Sequence, residues 1–362
     1  MRERIQTLDG LRFLAALGVL WIHIWTMFGN PVFYIGKVNI ANLLAIGGNG
    51  VDLFFVISGF CMYFFYASKT QFSYTDFGRF IKKRWFRLSP AFYAAAIFYI
   101  INHALSYGFQ YSDVLSFLTS VFYLNAILPT YNPSPHFWTL SVEWQFYFTI
   151  PFLLIYQFRH GFTKVFFYIY GTIFLLGLIS IFILKGSFDL LTNQIFFRGI
   201  EFAAGIVAAR ILLNTSYVLK YRAMWLFISV LITYCGRVLI SKFVLDLSSS
   251  YYNLFKLFGF GLMGCGFAGI LYLSVTSTKW LNKLLGNNLF KTMGRISYSF
   301  YLWHGLVARP VTEYMLSIFT SKALPGAIVA TLISAAMLYP VSLLSYRLLE
   351  KPFLSIGNLT TR

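Results

Sequence analysis

Charged side chains are scarce in this sequence of 362 residues. Only 11% of the residues are Asp, Glu, Lys or Arg, whereas soluble domains average about 25%. Such a chain cannot cover a water-facing surface at this length, and the scarcity excludes most classes of soluble enzyme. Apolar residues take the place of the charges, since 58% of the chain is hydrophobic and 20% is aromatic. The composition predicts a polytopic membrane protein.

Acidic residues are the scarcer of the two signs. The chain has 29 Lys and Arg against 11 Asp and Glu, which gives a formal net charge of +18. A basic excess of this size can indicate a nucleic-acid partner. The cytoplasmic loops of membrane proteins are also rich in Lys and Arg, however. We therefore expect membrane lipid, and no nucleic acid, to be the partner of these charges.

Cysteine is rare as well. Cys61, Cys235 and Cys265 lie in apolar stretches without the spacing of metal ligands. Their odd number excludes complete pairing within the chain, and no Cys-x-x-Cys occurs. We expect small buried thiols and no metal. No cleavable signal peptide is predicted either, because charged residues such as Asp9 and Arg12 interrupt the first apolar run.

Long apolar stretches are what the chain has in abundance. About 20 apolar residues cross about 30 Å of hydrocarbon, and ten stretches of this kind predict an all-α bundle of about ten transmembrane helices. The predicted spans are 8–28, 48–66, 88–107, 137–158, 165–184, 196–213, 223–242, 253–275, 295–315 and 326–348.

One further apolar segment, 112–130, contains Asp113 and Pro129, so we expect it to be interfacial or re-entrant. We interpret 1–353 as a single membrane domain and 354–362 as a short cytoplasmic tail.

The basic residues predict the orientation of the spans. With both termini in the cytoplasm, 21 of the Lys and Arg residues fall on the inner side and 8 on the outer side. This bias agrees with the positive-inside rule. An eleventh span at 112–130 would reverse every later segment and remove the bias.

Ionisable residues inside spans are costly, so each is a candidate functional residue. In the first span, Arg12 and His23 are 11 residues apart, which places both on one helix face about 16 Å apart. His23 lies in the predicted outer half, where a histidine can gain or lose a proton near neutral pH. The alternative is a snorkelling arginine with a hydrogen-bonded structural histidine. Arg12 could also pair with Asp9.

Three acidic residues are predicted at about the depth of His23. They are Asp52, Glu143 and Glu201, each a few residues below the outer surface. We interpret these side chains and His23 as a polar pocket that opens outward. The alternative is four separate structural groups, paired with basic residues such as Arg198.

The predicted cytoplasmic side carries basic groups instead. Arg84 and Arg87 are i,i+3 neighbours on a helix face at the entry to the third span. Such a cluster either contacts anionic lipid headgroups or binds the phosphates of a ligand through forked guanidinium contacts. Arg295 opens the ninth span. A polar stripe at a spacing of three follows it: Tyr298, Tyr301 and His304.

Six motifs, taken in order, resemble those of a family of bacterial membrane acyltransferases called acyltransferase type three. They are Arg12-x10-His23, VDLFFVISGF at 51–60, RWFR at 84–87, FWTLSVEWQFY at 137–147, SYSFYLWH at 297–304 and LEKPF at 349–353. The matches extend from Leu8 to Phe353, almost the whole chain.

This resemblance implies ten helices and the transfer of an acyl group, usually acetyl, from cytoplasmic acyl-CoA. Acetyl-CoA would be the co-substrate. The implied acceptor is a sugar hydroxyl of an extracytoplasmic polysaccharide or undecaprenyl-linked glycan, and lipopolysaccharide O-antigen is the commonest one for a chain of this length. The implied location is the bacterial inner membrane. The resemblance further implies that Arg12 and His23 are essential and that Arg84 and Arg87 bind coenzyme A.

The chain departs from the family pattern at two points. Some relatives carry a hydrolase-like C-terminal domain, and without one we expect the membrane domain to complete the transfer alone. Many relatives also have a second acid after Glu143, where this sequence has Trp144. Glu143 is then the carboxylate that this motif supplies.

Together these residues predict a mechanism. We expect arginines, including Arg295, to bind the donor phosphates, and Arg12 to contact the donor. His23 would be the base toward the acceptor hydroxyl or the nucleophile that carries the acyl group. Glu143 or Asp52 would orient its imidazole, as the third member of a triad does. Candidate oxyanion donors are Ser141, Trp138, Tyr301 and His304.

Two other functions fit a membrane bundle with buried charges. The main alternative is a flippase or transporter of a glycan or lipid-linked sugar, and another is a polysaccharide polymerase. Neither explains why basic groups are predicted at the inner end and histidine with acids at the outer end.

Overall fold

The protein is described here from a computed structural model, which covers residues 5–36, 38–39, 41–67, 72–183, 192–215, 219–240, 249–277 and 280–359. Its α-helices in chain order are α1 (Gln6–Met27), α2 (Ala41–Leu44), α3 (Gly50–Tyr66), α4 (Tyr74–Tyr107), α5 (Tyr111–Val121), α6 (Trp138–His160), α7 (Phe162–Ile183), α8 (Ile195–Asn214), α9 (Arg222–Ile240), α10 (Ser249–Val275), α11 (Trp280–Leu285), α12 (Asn288–Arg295), α13 (Ser297–Ile318), α14 (Leu324–Ser345) and α15 (Lys351–Leu359).

Short elements join some of these helices. Two antiparallel strands, β1 (Tyr34–Ile35) and β2 (Val38–Asn39), form a small hairpin after α1. A π-helix at Tyr346–Glu350 connects α14 to α15. The 3-10 helices are Ala45–Gly48, Pro129–Tyr131 and Pro135–Phe137.

The long helices coincide with the segments predicted from hydropathy. Ten described helices have at least 17 residues, and each overlaps one of the ten predicted spans. Six helical stretches are long and apolar enough to cross a membrane, one of which runs from Leu324 to Leu359. The all-α prediction is confirmed. The number of crossings, the cytoplasmic position of both termini and the boundary of the tail at 354 stay predictions.

Part of the evidence for orientation lies outside the described residues. The basic side chains concerned are Arg2, Arg4, Lys37, Lys69, Lys185, Lys242, Lys279 and Arg362.

The segment 112–130 does not form a spanning helix. Its helix α5 has 11 residues, a length of about 16 Å, which is half of what the hydrocarbon core requires. Turns and a 3-10 helix follow it. The structure thus agrees with the prediction that this segment is not an eleventh span.

Helix α1 lies between several partners, because it packs on α3, α12, α13 and α14. Glycines on two of these helices allow its backbone to approach closely. A Cβ atom added at Gly50 would lie 1.9 Å from the carbonyl oxygen of Ala15, and one added at Gly294 would lie 2.1 Å from that of Asp9. Small residues at such crossings are the usual means of close packing between membrane helices. These contacts fix the positions of Arg12 and His23 relative to α3 and α13.

Helices α3 and α8 cross through a second pair of glycines. A Cβ atom at Gly59 would lie 2.1 Å from the carbonyl oxygen of Phe202, and one at Gly205 would lie 2.0 Å from that of Val56. Each helix therefore places a glycine against the backbone of the other. Side chains of any size at these positions would separate the helices.

We expect Gly205→Ala to destabilise the fold by about 1–3 kcal/mol, because the added methyl group overlaps the backbone of α3. Thermal unfolding of the detergent-purified protein measures the loss. The matched control is Gly171→Ala in α7, where nothing lies within 4 Å of the added Cβ atom. Equal unfolding temperatures for the two variants would contradict this packing.

Candidate active site

A cavity of about 980 Å³ lies between α1, α3, α4, α6 and α13. Its lining combines three arginines with hydroxyl groups, a carboxyl group and apolar side chains from the motifs singled out in the sequence. The polar and charged side chains that line it are Arg12, Ser58, Tyr66, Arg84, Arg87, Thr139, Glu143, Tyr147, Ser297, Tyr298 and Tyr301.

Arg12 reaches the cavity from α1. One guanidinium nitrogen donates to Asp9 Oδ1 at 3.3 Å, and another donates to Cys61 Sγ at 3.2 Å. The pairing with Asp9 is the one that the i,i+3 spacing suggested. Arg12 also lines the cavity, so it can contact a ligand there while it stays paired with Asp9.

Arg84 and Arg87 lie on one face of α4 and both line the cavity. Arg84 donates to the hydroxyl of Tyr66 at 3.3 Å, and its buried Nε has no hydrogen-bond partner. Arg87 is exposed, and no hydrogen bond or salt bridge joins it to another side chain in the described part of the chain. Guanidinium groups with unused donors are suited to bind carboxylate or phosphate oxygens.

Arg295 does not join these arginines. It is an exposed residue at the end of α12 and is not among the residues that line the cavity. The expectation that Arg295 binds the donor together with Arg84 and Arg87 is therefore not supported by its position.

Glu143 lies in the cavity wall on α6. Its Oε1 accepts a hydrogen bond from the hydroxyl of Ser58 on α3, and Tyr147, one turn further along α6, lines the same cavity. The carboxyl group is thus held on a wall that also carries Arg84 and Arg87. It is a polar contact for whatever enters the cavity.

Tyr301 lines the cavity and also lies next to two histidines, with ring centroids 5.2 Å from His136 and 5.7 Å from His304. Its hydroxyl donates to the carbonyl oxygen of His136 at 2.5 Å and lies 2.5 Å from Thr139 Oγ1. The ring of Phe54 packs edge-on against it with a centroid distance of 6.1 Å. We call Phe54, Thr139 and Tyr301 the partition. Because the Tyr301 proton is directed at His136, the phenol does not point a donor into the cavity.

Three histidines lie beyond the partition. The ring centroid of His304 is 4.8 Å from that of His23 and 4.3 Å from that of His136. His304 and His136 are buried, whereas His23 is half-buried. His23 and His304 are not among the residues that line the cavity. The cluster therefore lies next to the cavity without being part of its wall.

The contacts of His23 differ from those predicted. Its Nδ1 lies 2.8 Å from the carbonyl oxygen of Val19 and 3.3 Å from His304 Nε2. No carboxylate is among its contacts within the described residues. The expectation that Glu143 or Asp52 orients this imidazole is corrected, since a backbone carbonyl and a second histidine occupy that place.

Asp52 lies in a buried ion cluster away from the cavity. Arg198 Nη1 donates to Asp52 Oδ1 at 3.0 Å and to Glu201 Oε1 at 3.4 Å. The guanidinium carbon of Arg198 is 4.0 Å from the ring centroid of Phe260. The predicted pocket shared by His23, Asp52, Glu143 and Glu201 is therefore corrected. Asp52 and Glu201 belong to the alternative of acids paired with Arg198.

Of the remaining candidates from the sequence, one lines the cavity and two do not. Tyr298 lines the cavity and donates to the carbonyl oxygen of Leu88 at 2.8 Å. Ser141 Oγ accepts from the amide of Ala126 at 3.2 Å, and the ring of Trp138 lies 5.4 Å from the guanidinium carbon of Arg198. Neither Ser141 nor Trp138 lines the cavity.

Sequence reasoning missed His136. It lies in the proline-rich connection before α6, which the sequence indicated only as a loop. A histidine directly before the FWTLS motif, at the predicted outer end of the fourth span, was the available signal. Ser58 and Tyr147 were also missed, because hydroxyl groups within apolar helices rarely stand out from those that bond to their own backbone.

Comparison with known proteins identifies relatives over almost the whole chain. A family model described as "Acyltransferase domain" matches residues 5–347. The O-acetyltransferases OatA of Staphylococcus aureus strains NCTC 8325 and COL are each 25% identical to this chain over 386 residues. The alignment covers 97% of this chain and 57% of the relative. The chain thus spans less than two thirds of the length of these curated relatives. No solved structure matches it.

The ion cluster predicts a structural role for Asp52. We expect Asp52→Asn to lower the stability by about 1–3 kcal/mol, because it removes a charged partner from a buried guanidinium. Thermal unfolding in detergent measures the change. The control is Glu313→Gln, which breaks an exposed pair with Arg309 and should cost at most about 1 kcal/mol. If Asp52→Asn leaves the unfolding temperature unchanged, the cluster does not have this role.

Proposed function

The chain belongs to the acyltransferase family, and on that premise we propose that it is a membrane O-acetyltransferase. Its donor is acetyl-CoA from the cytoplasm. Its acceptor is a sugar hydroxyl of an extracytoplasmic polysaccharide or lipid-linked glycan, such as an O-antigen unit, at the bacterial inner membrane. The O-acetyltransferase names of the relatives support the reaction type.

A single arrangement carries the proposal. Three arginines line one cavity, and a histidine cluster lies behind its partition. Arg12 and His23 belong to the same helix, so their separation along α1 is about 16 Å. A ligand with phosphates at one end and a reactive group at the other fits such a spacing, because the arginines bind the anionic end and leave the reactive end near the histidines.

The arginines supply the donor site. Arg87 and the Nε of Arg84 have unused donors within a cavity that is open enough for a ligand arm. Phosphate oxygens satisfy such donors with charge-assisted hydrogen bonds. The apolar side chains between them and the partition, such as Ile57 and Met62, suit the uncharged arm of a coenzyme A thioester.

His23 supplies the base. A sugar hydroxyl is a weak nucleophile, and a positioned base accelerates its attack by typically 10²–10⁴-fold. With Nδ1 engaged by Val19 and His304, the Nε2 of His23 remains to accept the hydroxyl proton.

The transporter alternative has no specific observation in its favour. A membrane protein that moves a glycan without modifying it requires no site for an anionic donor. Mass spectrometry of the surface glycans of the source bacterium, with and without the gene, separates the two functions. Glycans that carry the added mass of acetyl groups only in the strain with the gene would support acetyl transfer. Unmodified glycans in both strains would contradict the proposal.

The base assignment predicts that His23→Ala lowers acetyl transfer by about 10²–10⁴-fold. Membrane vesicles receive radiolabelled acetyl-CoA and the isolated surface glycan, and label in the glycan is counted. Coenzyme A binding should stay within error of the wild type, because His23 is not among the cavity residues. His103→Ala is the control, a half-buried histidine that pairs with Asp113 outside the site. Transfer by His23→Ala at the wild-type rate would refute the assignment.

The donor site predicts that Arg87→Ala weakens coenzyme A binding about 10–100-fold, since a hydrogen bond to a charged group contributes about 1.5–3 kcal/mol. Calorimetric titration in nanodiscs of zwitterionic lipid measures the dissociation constant. The matched control is Arg295→Ala, an exposed arginine away from the cavity, which should keep the wild-type affinity. Equal losses in both variants would indicate general charge attraction at the surface.

A further inference from the structure

The hydrogen bonds of His304 define which of its ring nitrogens carries the proton. Nδ1 of His304 lies 2.6 Å from the carbonyl oxygen of Tyr301. A carbonyl oxygen only accepts, so Nδ1 must donate and therefore carries the hydrogen. In the neutral ring, Nε2 then has a lone pair. That nitrogen lies 3.3 Å from His23 Nδ1.

The same reasoning applies to His23. Its Nδ1 lies 2.8 Å from the carbonyl oxygen of Val19, so this nitrogen also carries a hydrogen. That hydrogen is shared between two acceptors, the Val19 carbonyl and His304 Nε2. The second ring nitrogen of a neutral His23 is consequently bare. It is the nitrogen that a base requires.

His136 does not compete for these contacts. Its Nε2 lies 3.3 Å from the carbonyl oxygen of Leu302, and its Nδ1 lies 2.9 Å from Ser134 Oγ. Both ring nitrogens are therefore engaged on the loop before α6 and on α13. The ring packs against His304 at a centroid distance of 4.3 Å and limits its movement. His304 is held by Tyr301 on one side and by His136 on its face.

From these contacts we infer that His304 is the positioning residue for His23. Its Nε2 accepts the Nδ1 hydrogen of His23 together with the Val19 carbonyl oxygen, and these two acceptors hold the imidazole with a bare Nε2. The inference rests on the proposed function, in which His23 is the base. An uncharged acceptor thus occupies the place that a carboxylate takes in a serine-protease triad.

In the proposed reaction, the acyl group moves from the thioester to the acceptor hydroxyl. The acceptor hydroxyl oxygen bonds to the thioester carbonyl carbon, and its proton moves to His23 Nε2. The C–S bond then breaks, and the coenzyme A thiolate leaves with the electron pair and takes the proton from His23 Nε2. Throughout both transfers, the Nδ1 hydrogen of His23 stays on the hydrogen bond to His304.

A neutral partner suits a site of low dielectric. A buried carboxylate next to His23 would need its own compensation, because the desolvation of an unpaired charge is costly. His304 accepts a hydrogen bond without bringing a charge. The buried position of His304, which is 1% exposed, is compatible with a neutral ring and not with an isolated carboxylate.

Two substitutions separate the acceptor role of His304 from its bulk. The amide of glutamine reaches the position of Nε2, so His304→Gln keeps an acceptor for His23. The amide of asparagine reaches only the position of Nδ1, so His304→Asn keeps the contact with Tyr301 and loses the one with His23. We expect His304→Asn to lower kcat about 10²-fold with an unchanged KM for acetyl-CoA, and His304→Gln to stay within about 10-fold of the wild type.

Coenzyme A binding shows that each variant is folded, since its proposed site lies at the arginine end of the cavity. Equal kcat values for His304→Asn and the wild type would overturn the inference. So would an equal loss in His304→Asn and His304→Gln in proteins that bind coenzyme A normally, because bulk alone would then explain the effect.

A spectroscopic measurement tests the inference without any turnover. Protein labelled with ¹⁵N-histidine in nanodiscs reports which ring nitrogen is protonated, and the spectrum of His23→Ala identifies the His23 signals. We expect a protonated Nδ1 and a bare Nε2 in the wild type and in His304→Gln. In His304→Asn the share of the Nε2-protonated form should rise. A wild-type His23 protonated at Nε2 would overturn the inference, and so would an unchanged His23 protonation in His304→Asn, because the Val19 carbonyl alone would then hold the tautomer.

The two failures are distinguishable. A wild-type protein that acetylates no glycan contradicts the proposed function, and the ¹⁵N spectrum then still decides whether His304 holds the tautomer of His23. A wild-type protein that transfers acetyl groups and is indifferent to His304→Asn contradicts the positioning role alone.

Discussion

Every polar group buried in a membrane bundle has to find its partner within the protein, because hydrocarbon offers none. The structure meets this constraint in different ways at different positions. Arg198 is paired with two carboxylates, and each buried histidine directs a ring nitrogen to a backbone carbonyl. At the cavity the buried Nε of Arg84 has no hydrogen-bond partner, and among the described residues other buried polar atoms without one include Arg198 Nε and Glu201 Oε2. Arg84 differs from Arg198 in that it lines a cavity, so that an anionic ligand could reach its guanidinium group.

Helix α1 relates the two halves of the site. Its backbone lies against Gly50 of α3 and Gly294 before α13, so the helices that carry the partition are fixed to the helix that carries Arg12 and His23. A helix is stiff along its axis, and the distance between an arginine and a histidine on one face is therefore set by residue count. The spacing of 11 residues therefore sets the length that a ligand needs to reach from Arg12 to His23.

Hydropathy was sufficient to predict the positions of the ten long helices. The charges placed Arg12, Arg84 and Arg87 near the same predicted side of the membrane, but they left open whether these side chains contact lipid, a neighbouring acid or a ligand. The sequence did not predict that Glu143 lines the cavity whereas Asp52 and Glu201 pair with Arg198. Depth can be counted along a span, but the direction of a side chain depends on which neighbour each helix face meets. On α3, Asp52 and Gly59 are seven residues apart and share a face, and that face packs on α8, where Arg198 lies. Ser58 lies about 120° away around the helix and reaches Glu143.

The same reasoning explains why His23 has no acid beside it. The carboxylates near the predicted depth of His23 are already used, Asp52 and Glu201 by Arg198 and Glu143 by Ser58. What remains next to His23 is a backbone carbonyl and the ring of His304. Phe54, Thr139 and Tyr301 line the cavity that carries the arginines, whereas His23, His136 and His304 are not among its lining residues. Tyr301 is the residue that joins the two regions, because it lines the cavity and its ring centroid lies 5.2 Å from that of His136 and 5.7 Å from that of His304.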